Sequence, residues 1–141
     1  MRPIAIVSNE IQQNRKFEAE DVVSEIVVSR KYKRALDGIE SFSHIIVLFW
    51  LHEITAPERS ILKVHPRRNN SIPLTGVFAT RSPVRPNPIG ITTVRLLERK
   101  DNILRVKGLD AINGTPVLDI KPYLPESFPA SEVTVAEWSK R

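Results

Sequence analysis

The 141-residue chain contains no cysteine, which excludes disulfides, zinc–thiolate centres and cysteine nucleophiles together. It also lacks a long apolar run. The longest, Ile45 to Leu51, lies between His44 and His52 and falls well short of the roughly 20 residues that a membrane-spanning helix needs. The start of the chain, Met1 to Val7, is too short and too soon polar for a secretory signal. His44, His52 and His65 have no metal-ligand spacing. These absences predict a cytoplasmic protein with neither a membrane segment nor a metal. Glycine is scarce and scattered. Gly38, Gly76, Gly90, Gly108 and Gly114 never stand closer than six positions apart, so the clustered glycine loop of a Rossmann fold is missing.

Acidic residues are missing from one long stretch. Between Arg59 and Arg95 the chain carries Arg59, Lys63, Arg67, Arg68, Arg81, Arg85 and Arg95 with no Asp or Glu, while the whole chain is only +5. Such a stretch suits a polyanion, whose counterions it would release, or else forms a solvated basic face with no partner.

What is present is the balance of a globular protein, 41% hydrophobic and 26% charged, with room for a single domain over residues 1–141. Ile4 to Val7 and Val22 to Val28 read as strands, joined by a polar connection from Asn9 to Asp21. Good helix formers from Arg30 to Leu36, stopped by Asp37-Gly38, predict a short helix. Ile45 to Leu51 reads as a strand buried on both faces. Pro57 to Asn70 reads as a loop, with Ile61, Leu62 and Val64 pairing briefly. Further strands are expected over Gly76 to Thr80, Ile91 to Leu97, Ile103 to Val106 and Val117 to Ile120. Glu98 to Asn102 is a polar hairpin turn, and Asn113-Gly114 marks a second turn. One helix and about seven short strands predict a mainly β fold, a small antiparallel β-barrel with one or two short helices.

Two segments carry candidate chemistry. In Gly76-Val77-Phe78-Ala79-Thr80-Arg81-Ser82-Pro83-Val84-Arg85-Pro86-Asn87-Pro88-Ile89-Gly90, three prolines fix φ and disfavour helix before each of them. The loop is therefore stiff, and it holds Arg81, Arg85 and Asn87 with little freedom left to lose on binding. Its arginines can grip phosphate or carboxylate bidentately; a rigid loop that merely closes one end of a barrel is the plainer alternative. In Leu109-Asp110-Ala111-Ile112-Asn113-Gly114-Thr115-Pro116-Val117-Leu118-Asp119-Ile120-Lys121-Pro122-Tyr123, Asn-Gly makes a turn, for which a simple hairpin is the plain account. Asp119 and Lys121 charge one face of the strand after it, and Tyr123 offers a ring suited to stacking on a base. Arg85, Asn87 and Tyr123 are thus the candidate substrate contacts.

With Phe42-Ser43-His44, these segments resemble the TrmO (TsaA, YaeB-like) family of S-adenosylmethionine-dependent tRNA methyltransferases. The family pattern GVFATRSPxRPNPIG is matched from Gly76 to Gly90, and LDxxDGTPVxDIKPYxP from Leu109 to Pro125 with Asn113 in place of Asp. Two long motifs in order are hard to meet by chance. The resemblance implies methylation of the threonylcarbamoyl-adenosine next to the tRNA anticodon, with S-adenosylmethionine as cofactor and a homodimer as the assembly. Carried over position by position, it places the cofactor pocket at His52, Glu53, Arg81, Ile91, Asn113, Gly114, Thr115 and Pro116. A strand-end histidine without a role remains the alternative for His52. Two features depart from the family. Ile11 to Phe17 has no counterpart of its proline-containing PRQP stretch, and Glu126-Ser127-Phe128 stands where an acidic position follows the last motif. Asp110 and Asp119 are the carboxylates in the motifs, and nothing in the sequence selects either as a base. A non-catalytic RNA-binding barrel and a methyltransferase of this fold with another substrate are the rival readings.

Overall fold

A computed structural model describes residues 1–11 and 18–140. Residues 12–17 of the polar Asn9–Asp21 connection, most of the region that departs from the family pattern, lie outside the described residues. Among the described residues eight strands occur: β1 (Ala5–Ser8), β2 (Val23–Val28), β3 (His44–Trp50), β4 (Lys63–Val64), β5 (Thr75–Gly76), β6 (Ile89–Lys100), β7 (Ile103–Lys107) and β8 (Pro116–Pro122). Six of them close an antiparallel barrel in the order β1-β2-β7-β6-β3-β8, with β8 pairing back onto β1 through Ala5↔Val117 and Ile6↔Pro116. The expected mainly β barrel is the observed one.

The barrel interior is built by period-2 patterning. In β2, Ser24, Ile26 and Val28 point inward while Val23, Glu25 and Val27 point out, an alternation that the apolar Val22-Val23 and Val27-Val28 pairs conceal in the sequence. Ile26, Ile45, Val47, Leu104, Val106, Leu109 and Val117 are completely enclosed. Each such side chain stabilises the fold by about 1.5–3 kcal/mol relative to an exposed one. Buried Ser24 is satisfied by the Asn9 side-chain amide at 2.9 Å, as the cost of an unpaired buried hydroxyl requires.

The expected short helix over Arg30–Leu36 is present, as a 3₁₀ helix, with Tyr32 N donating to Ser29 O at 2.8 Å and a left-handed Gly38 (φ 93°) beyond its end. Two local expectations need correction. The expected Gly76–Thr80 strand stops at Gly76. Its partner β4 is two residues long, so the ladder runs out and Val77–Ala79 coils into a 3₁₀ turn that Thr80 closes onto Val77 O. The Asn113-Gly114 turn is not a hairpin, because β7 and β8 are not neighbours in the barrel. It sits inside a crossover that passes over the end of β1, where Gly114 N donates to Val7 O and Val7 N to Thr115 O.

Candidate functional site

The barrel's two ends differ. At one, where β3 finishes and β6 begins, lies a cleft of about 920 Å³, within the usual size of a small-molecule site. Its walls come from the β3 exit (Leu51, His52, Glu53), the proline loop with the start of β6 (Arg81, Arg85, Asn87, Ile89, Ile91), the crossover (Asp110, Ile112, Thr115) and the turns that carry Arg68 and Phe78. Of the residues expected from sequence, His52, Glu53, Arg81, Ile91, Thr115, Arg85 and Asn87 meet here. Asn113, Gly114 and Pro116 do not line it.

Asn113 acts one step removed. Its Oδ1 accepts from Asn9 N at 3.0 Å, while the Asn9 amide donates to Ala111 O at 2.9 Å. Together with left-handed Gly114 (φ 86°), these bonds fix the crossover that presents Asp110 and Thr115. Tyr123 lies at the other end of the barrel. Its N–H donates to His44 O at the start of β3, and its ring is stacked on Phe128 at 5.2 Å. The length of β3 separates it from the cleft, roughly 20 Å at the rise of an extended strand.

The four arginines around the cleft divide into two kinds. Arg85 Nη1 donates back into its own loop, to Thr80 O at 3.2 Å and Ser82 O at 3.0 Å. Arg59 clamps that loop from outside, with Nε on Pro86 O at 2.7 Å, Nη2 on Asn87 Oδ1 at 3.3 Å and its guanidinium 5.2 Å above the Trp50 ring. Both brace the proline loop. Arg68 and Arg81, in contrast, make no side-chain hydrogen bond or ion pair among the described residues. The same cleft is lined by the carboxylates of Glu53, 3.2 Å from His52 Nε2, and of Asp110. Of the two motif aspartates only Asp110 reaches the cleft; Asp119 accepts from its neighbour Ile120 and pairs with Lys121 at 2.9 Å.

Arg59 is itself held in place. Glu58 Oε1 accepts from Thr55 N at 3.0 Å and Thr55 Oγ1 at 2.9 Å, a capping arrangement whose hydrogen bonds hold the Glu58 carboxyl below the usual carboxylate range. Gly90 serves packing. A Cβ there would stand 2.5 Å from Cε2 of the buried Phe49 ring, so only glycine lets the ring lie flat at the cleft floor. Arg67 and Arg68 occupy left-handed backbone at φ 56° and 54°, strain that costs about 1–3 kcal/mol per residue. Sequence reading gave no role to Arg59 or Arg68 beyond membership of the acid-free stretch. The only signal available for either was their charge.

The residues present fit S-adenosylmethionine. Arg81 can take an amino-acid carboxylate, Glu53 or Asp110 an ammonium or ribose hydroxyls, and the exposed faces of Phe78 and Ile91 a flat base. Among the described residues no group of three His, Asp or Glu is placed to hold a metal, and no helix is long and apolar enough to cross a membrane.

Known proteins resemble this chain in sequence and fold. The tRNA-methyltransferase O N-terminal domain model matches residues 10–127. A probable S-adenosyl-L-methionine-binding protein of Methanothermobacter thermautotrophicus is 46% identical over 129 residues, 87% of this chain and 88% of its own length. The tRNA (adenine(37)-N6)-methyltransferase of Escherichia coli K12 is 46% identical over 109 residues, which are 73% of this chain and 46% of that enzyme. The crystal structure of TrmO from P. aeruginosa superposes with a TM-score of 0.74 at 30% identity, over 97% of this chain and 60% of that one. The chain thus spans most of its archaeal relative but only part of the bacterial proteins. With both motifs converging on one cleft and the family pattern covering the barrel, this chain belongs to the tRNA-methyltransferase O N-terminal domain family.

Proposed function

We propose that the chain, as one domain over residues 1–141, is an S-adenosylmethionine-dependent methyltransferase that N-methylates the threonylcarbamoyl-adenosine beside a tRNA anticodon in the cytoplasm. The observation that carries this reading is the presence, in one cleft, of two guanidiniums without partners among the described residues and of the Asp110 carboxylate. The bound cofactor supplies a methyl group already activated on a sulfonium. What remains for the protein is alignment, exclusion of water and removal of one proton. Arg81, on the stiff proline loop, holds the cofactor's carboxylate. The Thr115 turn and the β3 exit at His52 and Glu53 border the rest of that pocket. In this reading Asp110, which lines the cleft, accepts the proton that the acceptor nitrogen must lose on methylation.

The homodimer is part of the same proposal. Leu62, Leu74 and Phe78 are 68%, 57% and 80% exposed, and the β4–β5 pairing brings their segments together beside the cleft. A second copy is the occupant suited to that apolar edge, and sedimentation equilibrium would test it: a monomer at micromolar concentration rejects it. A methyltransferase of this fold with a different substrate remains the second reading. It is favoured by the archaeal relative, matched over nearly its whole length, whose name records cofactor binding alone.

Calorimetric titration with S-adenosylmethionine, followed by methyl transfer to tRNA with and without the threonylcarbamoyl group, decides among these. Micromolar binding near one site per chain, with transfer only to the modified tRNA, is expected. Binding without transfer favours the second reading. RNA affinity with no cofactor binding points instead to a non-catalytic barrel.

A further inference from the structure

We propose that Arg68 is the residue by which the cleft grips an oxyanion of its RNA substrate. The inference rests on the functional reading above and deepens it. Its starting point is a backbone conformation. Arg67 and Arg68 stand consecutively in the left-handed region at φ 56° and 54°, where glycine or asparagine is at ease and arginine is not. Strain of this kind persists only where the surroundings enforce it, and here they do. Arg68 N donates to His65 O at 3.1 Å and Asn69 N to Pro66 O at 3.0 Å around buried Pro66. His65 Nδ1 lies 2.7 Å from Ile72 O, and Ser71 N donates to Asn69 Oδ1 at 2.9 Å.

The two strained arginines then diverge. Arg67 Nη2 donates to Ser139 O at 2.9 Å, tying the turn to the C-terminal segment. The Arg68 side chain makes no hydrogen bond or ion pair among the described residues, and it lines the cleft mouth. The fold therefore maintains a costly backbone to present a guanidinium that it does not itself use. Fork-shaped and permanently charged, that group suits a bidentate oxyanion. The proposed substrate offers two: a nucleotide phosphate beside the target base, and the amino-acid carboxylate of the threonylcarbamoyl group.

The test uses the full chain, a tRNA carrying threonylcarbamoyl-adenosine and its unmodified transcript, with Arg68→Gly and Arg67→Gly as variants. Glycine fits both positions, so both variants should melt no lower than the unaltered chain. For Arg68→Gly, Kd for S-adenosylmethionine should be unchanged and affinity for tRNA about tenfold weaker, with KM raised more than kcat is lowered. Arg67→Gly should keep its tRNA affinity within about twofold. A loss on both RNAs, with the salt slope reduced by about one, identifies a phosphate; a loss on the modified RNA alone identifies the carboxylate. Unchanged tRNA affinity in Arg68→Gly overturns the proposal, as does an equal loss in Arg67→Gly, which would make the effect one of loop disruption. If the unaltered chain binds no tRNA, both the inference and the reading beneath it fall. If it binds tRNA without methylating it, only the reading of function falls, and the affinity comparison still decides Arg68.

Discussion

At the end of the barrel away from the cleft, where β6 turns into β7, positive charge is answered from within the chain. Arg99 Nη1 reaches Glu40 at 2.8 Å and Asp37 at 3.3 Å, and Asp101 takes both Arg30, at 2.9 Å, and Lys33. The hydrogen bond from Arg99 holds the Glu40 carboxyl below its ordinary range, and that from Lys33 does the same for Asp101. At the cleft end Arg59 and Arg85 bond to carbonyls, and Arg68 and Arg81 bond to nothing in the chain among the described residues. The same residue type thus closes one end and arms the other. Carboxylate neighbours make the difference, since the stretch from Arg59 to Arg95 has none of its own.

The sharpest way to break this contrast is Arg81→Ala. Methyl transfer should fall to background while the melting temperature stays within a degree or two; full activity would remove Arg81 from the site. Next comes Arg59→Ala, which frees the proline loop without touching a ligand. A loss of about 100-fold in kcat/KM is expected, the scale of a small misplacement of reacting groups. Because the lost contacts are to Pro86 O and Asn87, Arg59→Lys should recover little of it. Gly90→Ala forces the Phe49 ring to move and should cost about 1–3 kcal/mol of stability in denaturant titration. A neutral result would show that the cleft floor yields. At the far end, Arg99→Ala should lower the melting temperature modestly and leave kcat and KM alone.

The far end also predicts the response to acid. Glu40 and Asp101, and Glu58 near the cleft, have carboxyls held below their ordinary values in the folded state. Their stabilising contribution is therefore complete above the ordinary carboxylate range and is lost as pH falls from that range through the lowered folded-state values. Urea midpoints should fall on acidification below that range and stay flat as pH rises from it to neutrality. In Arg99→Ala the acid-side decline should be shallower.

Much of this was legible in the sequence, for identifiable reasons. The barrel followed from short β-branched runs between turn signals, and the cleft's core members from two long motifs. The Gly76–Thr80 segment misled because its strand-like composition says nothing about how short its partner β4 is. Asn113-Gly114 misled because the dipeptide specifies a turn but not which strands the turn joins. Tyr123 has the right chemistry for stacking, yet the register of β8 against β3 carries it away from the cleft, onto Phe128. Arg68 was invisible as anything but charge, since nothing in Pro66-Arg67-Arg68-Asn69 encodes a left-handed pair without the surrounding hydrogen bonds.

The closure of β8 onto β1 carries a consequence for how the chain is made. Residues near the start, Ala5 and Ile6, find their second partner only in Pro116 and Val117, so the barrel cannot seal until Val117 has left the ribosome. Until then β1 and β3 each present an open edge of the kind that recruits other strands. Pairing of such sequence separation is slow to form. A chain halted before Pro116 would thus be prone to aggregate, and the same β8 that carries the second motif is the strand that ends this exposure.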